Sequence, residues 1–407
     1  MIGIVGSGLA GLAAAARLSR EGHQVVVFDP GASFEPGVDG LGQSGGWAQA
    51  AGIEVASEPD HDVFTLPAAW RDLFYKSGRT LDAELAKRGL GLAPAPAREY
   101  RFSNGATLAL PSDRGEQWTV LGEALGEPAA VAWRDLLDHL DDVWQVQRRL
   151  GLEAEFTGLE QLTAEVREVL RPRESLARLA GRLPTAELSE MVLDVAARLG
   201  QDPRRLPGWH AARLSVERTF GRWRLVDGAG APQPANRLVE LLLERVAGCG
   251  VEIRTEAVSA IRRDARGLRC DTAFGSTYLN AVISTLDPAA QVDLTQNRTD
   301  GRVAARLVRS PSGGPRWDSW RTLLSLPKLT TGVPGVLAAS AWSPGGPDAW
   351  AQLLTGALVA YRVHSDLTGA DIRPTNKAYR RPRPIPRPRP TRSAPETSAP
   401  RLASRED

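Results

Sequence analysis

Cysteine is nearly absent. Cys249 and Cys270 are the only two in 407 residues. Two thiols make neither a disulfide framework nor a cysteine metal site, and they fit a reducing cytoplasm. Histidine is scarce as well. The five, at 23, 61, 139, 210 and 364, show no H-x-x-x-H spacing, so no metal site is expected. No apolar run approaches the roughly 18 residues of a transmembrane helix. The first strand is expected to begin at Ile2, which leaves no room for a signal peptide. Lysine appears four times against 46 arginines, a bias read as genomic and without mechanistic content. Net charge is only +2, and its distribution matters more. Residues 379–407 hold eight arginines against Glu396, Glu406 and Asp407, so the remaining body is mildly acidic. A nucleic-acid-binding body is thereby disfavoured. What is present is ordinary for a globular chain: 42% apolar and 24% charged residues. At roughly 150 residues per domain the length suggests two or three domains.

Residues 2–29 read as strand, turn, helix, strand. Ile2, Ile4 and Val5 precede Leu9, Leu12, Ala13, Ala16 and Leu18 at helical spacing, Gly22 closes the helix, and QVVVF at 24–28 is a second buried strand. Residues 30–46 form a Gly/Pro loop, 66–88 look helical, and 100–110 read as a hairpin turning at Asn104-Gly105. From 113 to 215 the pattern is almost wholly helical, an inserted block that suggests a second, substrate-facing domain. A helix is expected at 234–249 and short strands at 251–254, 257–262 and 268–272. A buried strand at 281–285 should rejoin the first sheet. The stretch 335–342 is strand-like, and a long helix from 348 to 367 stops at Gly369. No assignment is made for 287–330. The low-complexity Arg/Pro segment 372–407 is expected to be a disordered tail.

Gly6-Ser7-Gly8-Leu9-Ala10-Gly11 lies between the first strand and first helix. Gly6 suits a tight turn. Gly8 leaves room for a pyrophosphate where a Cβ would collide. Gly11 allows helix and strand to approach. The helix N-terminus offers N–H groups to phosphates. Asp29 ends the second strand, 18 residues past Gly11, where a carboxylate can accept from a ribose 2′-OH. That acid favours FAD or NAD over NADP. The end of the chain chooses between the first two. A late strand and helix over 335–369 could return to cover a flavin, with Gly345-Gly346-Pro347 allowing close backbone approach. The helix beginning near Asp348 would direct its N-terminal N–H groups at the flavin.

Several stretches then carry a family likeness. They are residues 4–29 (IVGSGLAGLAAAARLSREGHQVVVFD), Gly45-Gly46-Trp47-Ala48, 64–79 (FTLPAAWRDLFYKSGR), 282–288 (VISTLDP) and 333–356 (VPGVLAASAWSPGGPDAWAQLLTG). In this order they resemble the flavin-dependent carotenoid desaturases of the phytoene dehydrogenase type, within the amine-oxidase-like flavoprotein superfamily. The resemblance implies an α/β fold: a Rossmann-like FAD-binding domain with an inserted, largely helical substrate domain. The FAD-binding domain would be discontinuous over 1–112, 234–290 and 331–371, and the substrate domain would take 113–233 and 291–330. FAD would be held at Gly6, Ser7, Gly8, Leu9, Ala10, Gly11, Asp29, Gly45 and Gly46. Val258 would meet the adenine, and Ala341, Gly345, Gly346 and Asp348 would cover the flavin. The sequence also departs from the family. Trp47 replaces an arginine, Asp60 stands where a glycine is usual, and the interval from Pro288 to Trp317 is short.

No catalytic side chain is marked, which a flavin reaction permits because the isoalloxazine itself accepts the hydride. The expected activity is FAD-dependent dehydrogenation of an apolar, isoprenoid or carotenoid-type small molecule in a long apolar tunnel. Trp118, Trp133, Trp144 and Trp209 are candidate walls, although such residues are more often core. His61 and His210 are acids or bases by type only. Glu217, Arg218 and Arg222 read as a solvated charged face. An amine oxidase or a sugar-nucleotide mutase, the latter with Arg222 and Arg224 clamping a diphosphate, stays open. So does a non-catalytic flavoprotein acting as a binding subunit. The Arg/Pro tail is read as an inert solvated segment, a peripheral contact to anionic lipid, or a weak RNA contact. The expected location is cytoplasmic. Oligomeric state is not legible.

Overall fold

A parallel sheet of five strands organises the chain. The computed structural model describes residues 1–31, 63–296, 307–310 and 314–373. Gly45, Gly46, Trp47, Asp60, His61 and the Arg/Pro stretch from 374 onward lie outside these residues. Every described element belongs to the unit Met1–Asp371.

Strands β1 (Ile2–Val5) and β2 (Val25–Phe28) are fully buried runs of mainly β-branched residues, as expected of strands covered on both faces. They pair in parallel, Ile2 opposite Val25, across the helix Leu9–Arg20. On the other flank β13 (Ala281–Ser284) pairs with β1, followed by β14 (Val336–Ala338), while β9 (Glu252–Arg254) extends β2. The spatial order is β14-β13-β1-β2-β9. The expected return of the 281–285 strand to the first sheet is therefore met.

The alanine-rich first helix is buried on nearly all sides because a second helix lies across it. That second helix is Ala349–Thr368, with Asp348 before its first turn and Gly369 ending it at φ +75°. Gly356 makes the approach possible. A Cβ there would stand 2.4 Å from the Ala10 carbonyl oxygen.

A three-stranded antiparallel sheet, β10 (Val258–Asp264), β11 (Gly267–Thr272) and β12 (Gly275–Leu279), stands beside the first sheet. The hairpin β5 (Arg98–Arg101) and β6 (Thr107–Leu110) turns at Asn104-Gly105 as the sequence predicts. The block from 114 onward is helical, including Arg114–Leu125, Glu127–Arg148 and Ala186–Arg198.

A sheet the sequence reading missed joins distant parts. β7 (Arg222–Asp227) pairs antiparallel with β3 (Val63–Thr65), β4 (Leu90–Pro94) and β8 (Pro232–Gln233). It draws strands from both of the expected domains. It also overturns the reading of 217–222 as a solvated face. Arg222 is buried and donates to the Pro96 carbonyl at 2.8 Å. Glu217 sits between Arg98 at 3.0 Å and Arg198 at 2.9 Å. Arg218, also buried, pairs with Asp138 and Asp141.

Candidate active site

The turn after β1 is built around Thr285. Gly6 takes φ +88°, which an L side chain rarely adopts. A Cβ at Gly6, Gly8 or Gly11 would come within 2.4, 2.9 or 2.3 Å of the Thr285 side chain. At Gly8, where a collision with a pyrophosphate is expected, a Cβ would already meet Thr285. Gly11 would also meet Ile4 of β1 at 2.9 Å, in keeping with its expected role in helix–strand packing. Thr285 in turn accepts from the Gly8 N–H at 3.2 Å and donates to the Val5 carbonyl at 3.1 Å. Sequence reasoning held only its motif, VISTLDP, and missed this role.

Asp29 closes the other side of the turn. One carboxylate oxygen accepts both the Ser7 N–H, at 2.9 Å, and the Ser7 hydroxyl. The other accepts the Gly31 N–H at 2.9 Å. Turn and acid open onto one cavity of about 520 Å³. That is within the range of small-molecule sites, about 300–1,000 Å³. Gly6, Ser7, Gly8, Asp29, Val258 and Ala341 all line it. Val258 begins β10, where the pairing register with β11 shifts before Ala260. Leu9, Ala10 and Gly11 are buried in the first helix turn behind it. Arg309 is the one cationic side chain among the described residues of the lining, beside Asp29, Asp287 and Asp293. It donates to Asp287 at 2.9 Å and lies 5.7 Å from the Trp342 ring centre.

Gly345, Gly346 and Asp348 stand elsewhere. The two glycines line a separate, narrow cleft of about 50 Å³, walled by Trp144, Trp209, Trp317 and Trp350. Asp348 forms an ion pair with Arg213, which also lines the cleft. Trp118 and Trp133 belong to a third cavity, so the four candidate tryptophans do not form one wall. The long tunnel expected for a polyene is not present among the described residues of this cleft. Arg224 and Arg222 lie side by side in β7 but line none of these three cavities.

His210 is the titratable group of the cleft. Arg213 donates to its Nδ1 at 2.9 Å. An arginine has no acceptor, so Nδ1 must accept and the proton of the neutral ring sits on Nε2. Burial, then the Arg213 charge, holds the imidazole well below the usual histidine range. His210 is therefore a hydrogen-bond donor at neutral pH and a poor proton acceptor.

This has a consequence for stability. A group whose folded pKa is lowered binds protons more readily when unfolded. Its contribution is complete above about pH 6.5 and is lost as pH falls toward the folded value, at up to about 1.4 kcal/mol per pH unit. His23 and His139 are shifted in the same direction by burial. The thermal midpoint should fall between pH 7 and 5, and His210→Gln should flatten that fall. Thermal denaturation at both pH values checks it, and an unchanged fall in the variant would remove His210 as the cause.

The chain belongs to the FAD binding domain family, whose model matches residues 2–339. Among curated proteins it is similar to the phytoene dehydrogenase of Streptomyces griseus, 30% identical over 159 residues, which are 39% of this chain and 29% of that protein. The phytoene desaturase of Cercospora nicotianae is 26% identical over 258 residues, 62% of this chain and 39% of the relative. The chain thus spans well under half the length of these relatives. Among solved structures, cyclohexylamine oxidase from Brevibacterium oxydans IH-35A gives a TM-score of 0.46 at 14% identity, covering 75% of this chain and 62% of that one. A CLA-producing fatty acid isomerase from P. acnes gives 0.45 at 14% identity, over 76% and 64%.

FAD is the cofactor of this family, and the residues of the large cavity fit it. A glycine turn at positive φ, a helix start and a strand-end carboxylate meet at one cavity of small-molecule size. Among the described residues no group of three or more metal-ligating side chains occurs, and no helix is long and apolar enough to cross a membrane.

Proposed function

We propose that the chain is an FAD-dependent oxidoreductase that dehydrogenates an apolar, isoprenoid-type substrate. One observation carries this reading. The segment 340–347 separates two cavities: residues 340–342 line the large one and residues 343–347 line the aromatic cleft. A cofactor on one side and a substrate on the other would share that wall. Bound flavin supplies the hydride acceptor. The chain's own residues bind and shield. Asp29 would accept from ribose hydroxyls, while the first-turn N–H groups of Leu9–Arg20 and the Arg309 guanidinium would face the diphosphate. Trp144, Trp209, Trp317 and Trp350 would keep water from the reacting carbon. The names of the two curated relatives support an isoprenoid substrate. A membrane-dissolved substrate also suits the Arg/Pro-rich tail as a contact to anionic lipid.

A second reading, a small substrate such as an amine, is favoured by the volume of the cleft, about 50 Å³. Anaerobic mixing of the FAD-loaded protein with phytoene in lipid vesicles, and separately with putrescine, distinguishes the two. Loss of the visible flavin band with phytoene alone is expected. Loss with putrescine alone would replace the first reading by the second. A band that neither compound changes would point to a binding subunit without turnover.

A further inference from the structure

Each N–H of the glycine turn already has an acceptor within the protein. Gly6 donates to the Phe28 carbonyl at 2.8 Å, Ser7 to Asp29 at 2.9 Å and Gly8 to the Thr285 hydroxyl at 3.2 Å. The turn therefore offers a diphosphate room rather than donors. The donors come from the residues that follow, in the first turn of Leu9–Arg20, where N–H groups have no intrahelical acceptor. Their direction depends on how the glycine turn is held.

Three acceptors hold it. The Phe28 carbonyl belongs to the backbone, and Asp29 is read as the partner of the ribose. Thr285 is the third, and it arrives 277 residues after Gly8. Its place is fixed by its own pairing with β1. Its N–H donates to the Val5 carbonyl at 2.9 Å, and its hydroxyl donates to the same oxygen at 3.1 Å. With its proton directed at Val5, the hydroxyl presents a lone pair to Gly8. The same side chain also stands behind Gly6 and Gly11, so the turn cannot sink toward the sheet. Thr285 lies in the wall of the large cavity, and Gly8 is buried.

We propose that Thr285 is a positioning residue for FAD. Its hydroxyl sets the height of the Gly6–Gly8 turn above the sheet, and with it the aim of the helix N–H groups at the diphosphate. The inference rests on the reading of the large cavity as the FAD site, and it adds a residue that acts on the cofactor through the turn. Removing the hydroxyl leaves the Gly8 N–H buried without an acceptor. An unpaired buried donor costs more than an average hydrogen bond contributes, so the turn should shift to find a partner.

The test is FAD affinity, read by quenching of flavin fluorescence, in the wild type, Thr285→Val and Thr285→Ser. Valine keeps the branched shape without the hydroxyl, and serine keeps the hydroxyl without the methyl group. Thr285→Val should bind FAD about tenfold more weakly, the scale of one buried hydrogen bond. Thr285→Ser should bind as the wild type does. Thr285→Ala, which also lacks the hydroxyl, takes the place of the valine variant if that one folds poorly. Unchanged affinity without the hydroxyl would overturn the inference. Tighter binding would overturn it too, because the freed Gly8 N–H would then serve the diphosphate better than Thr285 does. A serine variant as weak as the valine one would assign the effect to packing alone and overturn it as well. A wild-type protein that binds no FAD would overturn the cofactor reading and the inference together.

Discussion

Glu217→Ala should cost about 3 kcal/mol of folding stability, because it removes the buried carboxylate that Arg98 and Arg198 share, although Arg198 keeps Asp194 at 2.9 Å. Glu217 and Arg98 are each about seven-eighths buried, and Arg198 is the more exposed partner. Burial alone would raise the carboxyl pKa. The charges of Arg198, Arg98 and Arg222 outweigh it and bring the value down to about 2. A carboxylate lowered in this way stabilises the fold above its unfolded value and loses that effect as pH falls toward 2. Its acid lability therefore lies below the histidine window. Tyr100, buried beside the same charges, has its ionisation pushed up, chiefly by burial. Urea denaturation of wild type and variant at neutral pH measures the cost. A loss under about 1 kcal/mol, the scale of an exposed ion pair, would show that the triad is solvated after all.

Gly356→Ala sets two effects of opposite sign against each other. Alanine inside a helix is worth about 1 kcal/mol more than glycine. Yet the new Cβ would stand 2.4 Å from the Ala10 carbonyl oxygen and 2.9 Å from the Ala13 Cβ. One neighbour is backbone, so the two helices must part. Overpacking costs about 1–3 kcal/mol, and a contact this short belongs at the upper end. The expected net loss is about 2 kcal/mol. Because Ala10 lies in the first turn beside Gly8, the same shift should weaken FAD binding. A stabilised variant with unchanged FAD affinity would show that the helices are not in contact there.

The N-terminal strand–helix–strand, the return of β13 and the limits of the final helix were legible because each is written locally. Buried β-branched runs, alanines at helical spacing and Gly369 at the helix end need no distant partner. The four-stranded sheet was not legible in this way. β7 gains its meaning only from β3 and β4, more than a hundred residues earlier, and its charged sequence, RWRLVD, resembles a surface strand. Glu217 looked solvated for the same reason, since its partners come from β5 and from the helix Ala186–Arg198. In the cofactor site, the glycines and Asp29 were visible as a spaced motif. Thr285, which all three glycines face, was visible only as part of a turn. The tryptophans could be named but not sorted. Helical spacing does not say that Trp144 and Trp209 share a cleft while Trp118 and Trp133 share another cavity.

The most direct measurement is a titration of the purified protein with FAD, followed by flavin fluorescence and the visible spectrum. Near-stoichiometric quenching, with a protein-bound flavin spectrum that is weakened in Asp29→Ala, is the expected outcome. A protein that stays colourless and leaves the flavin fluorescence unchanged would contradict the assignment of the cavity between Gly6, Asp29, Val258 and Ala341 to FAD.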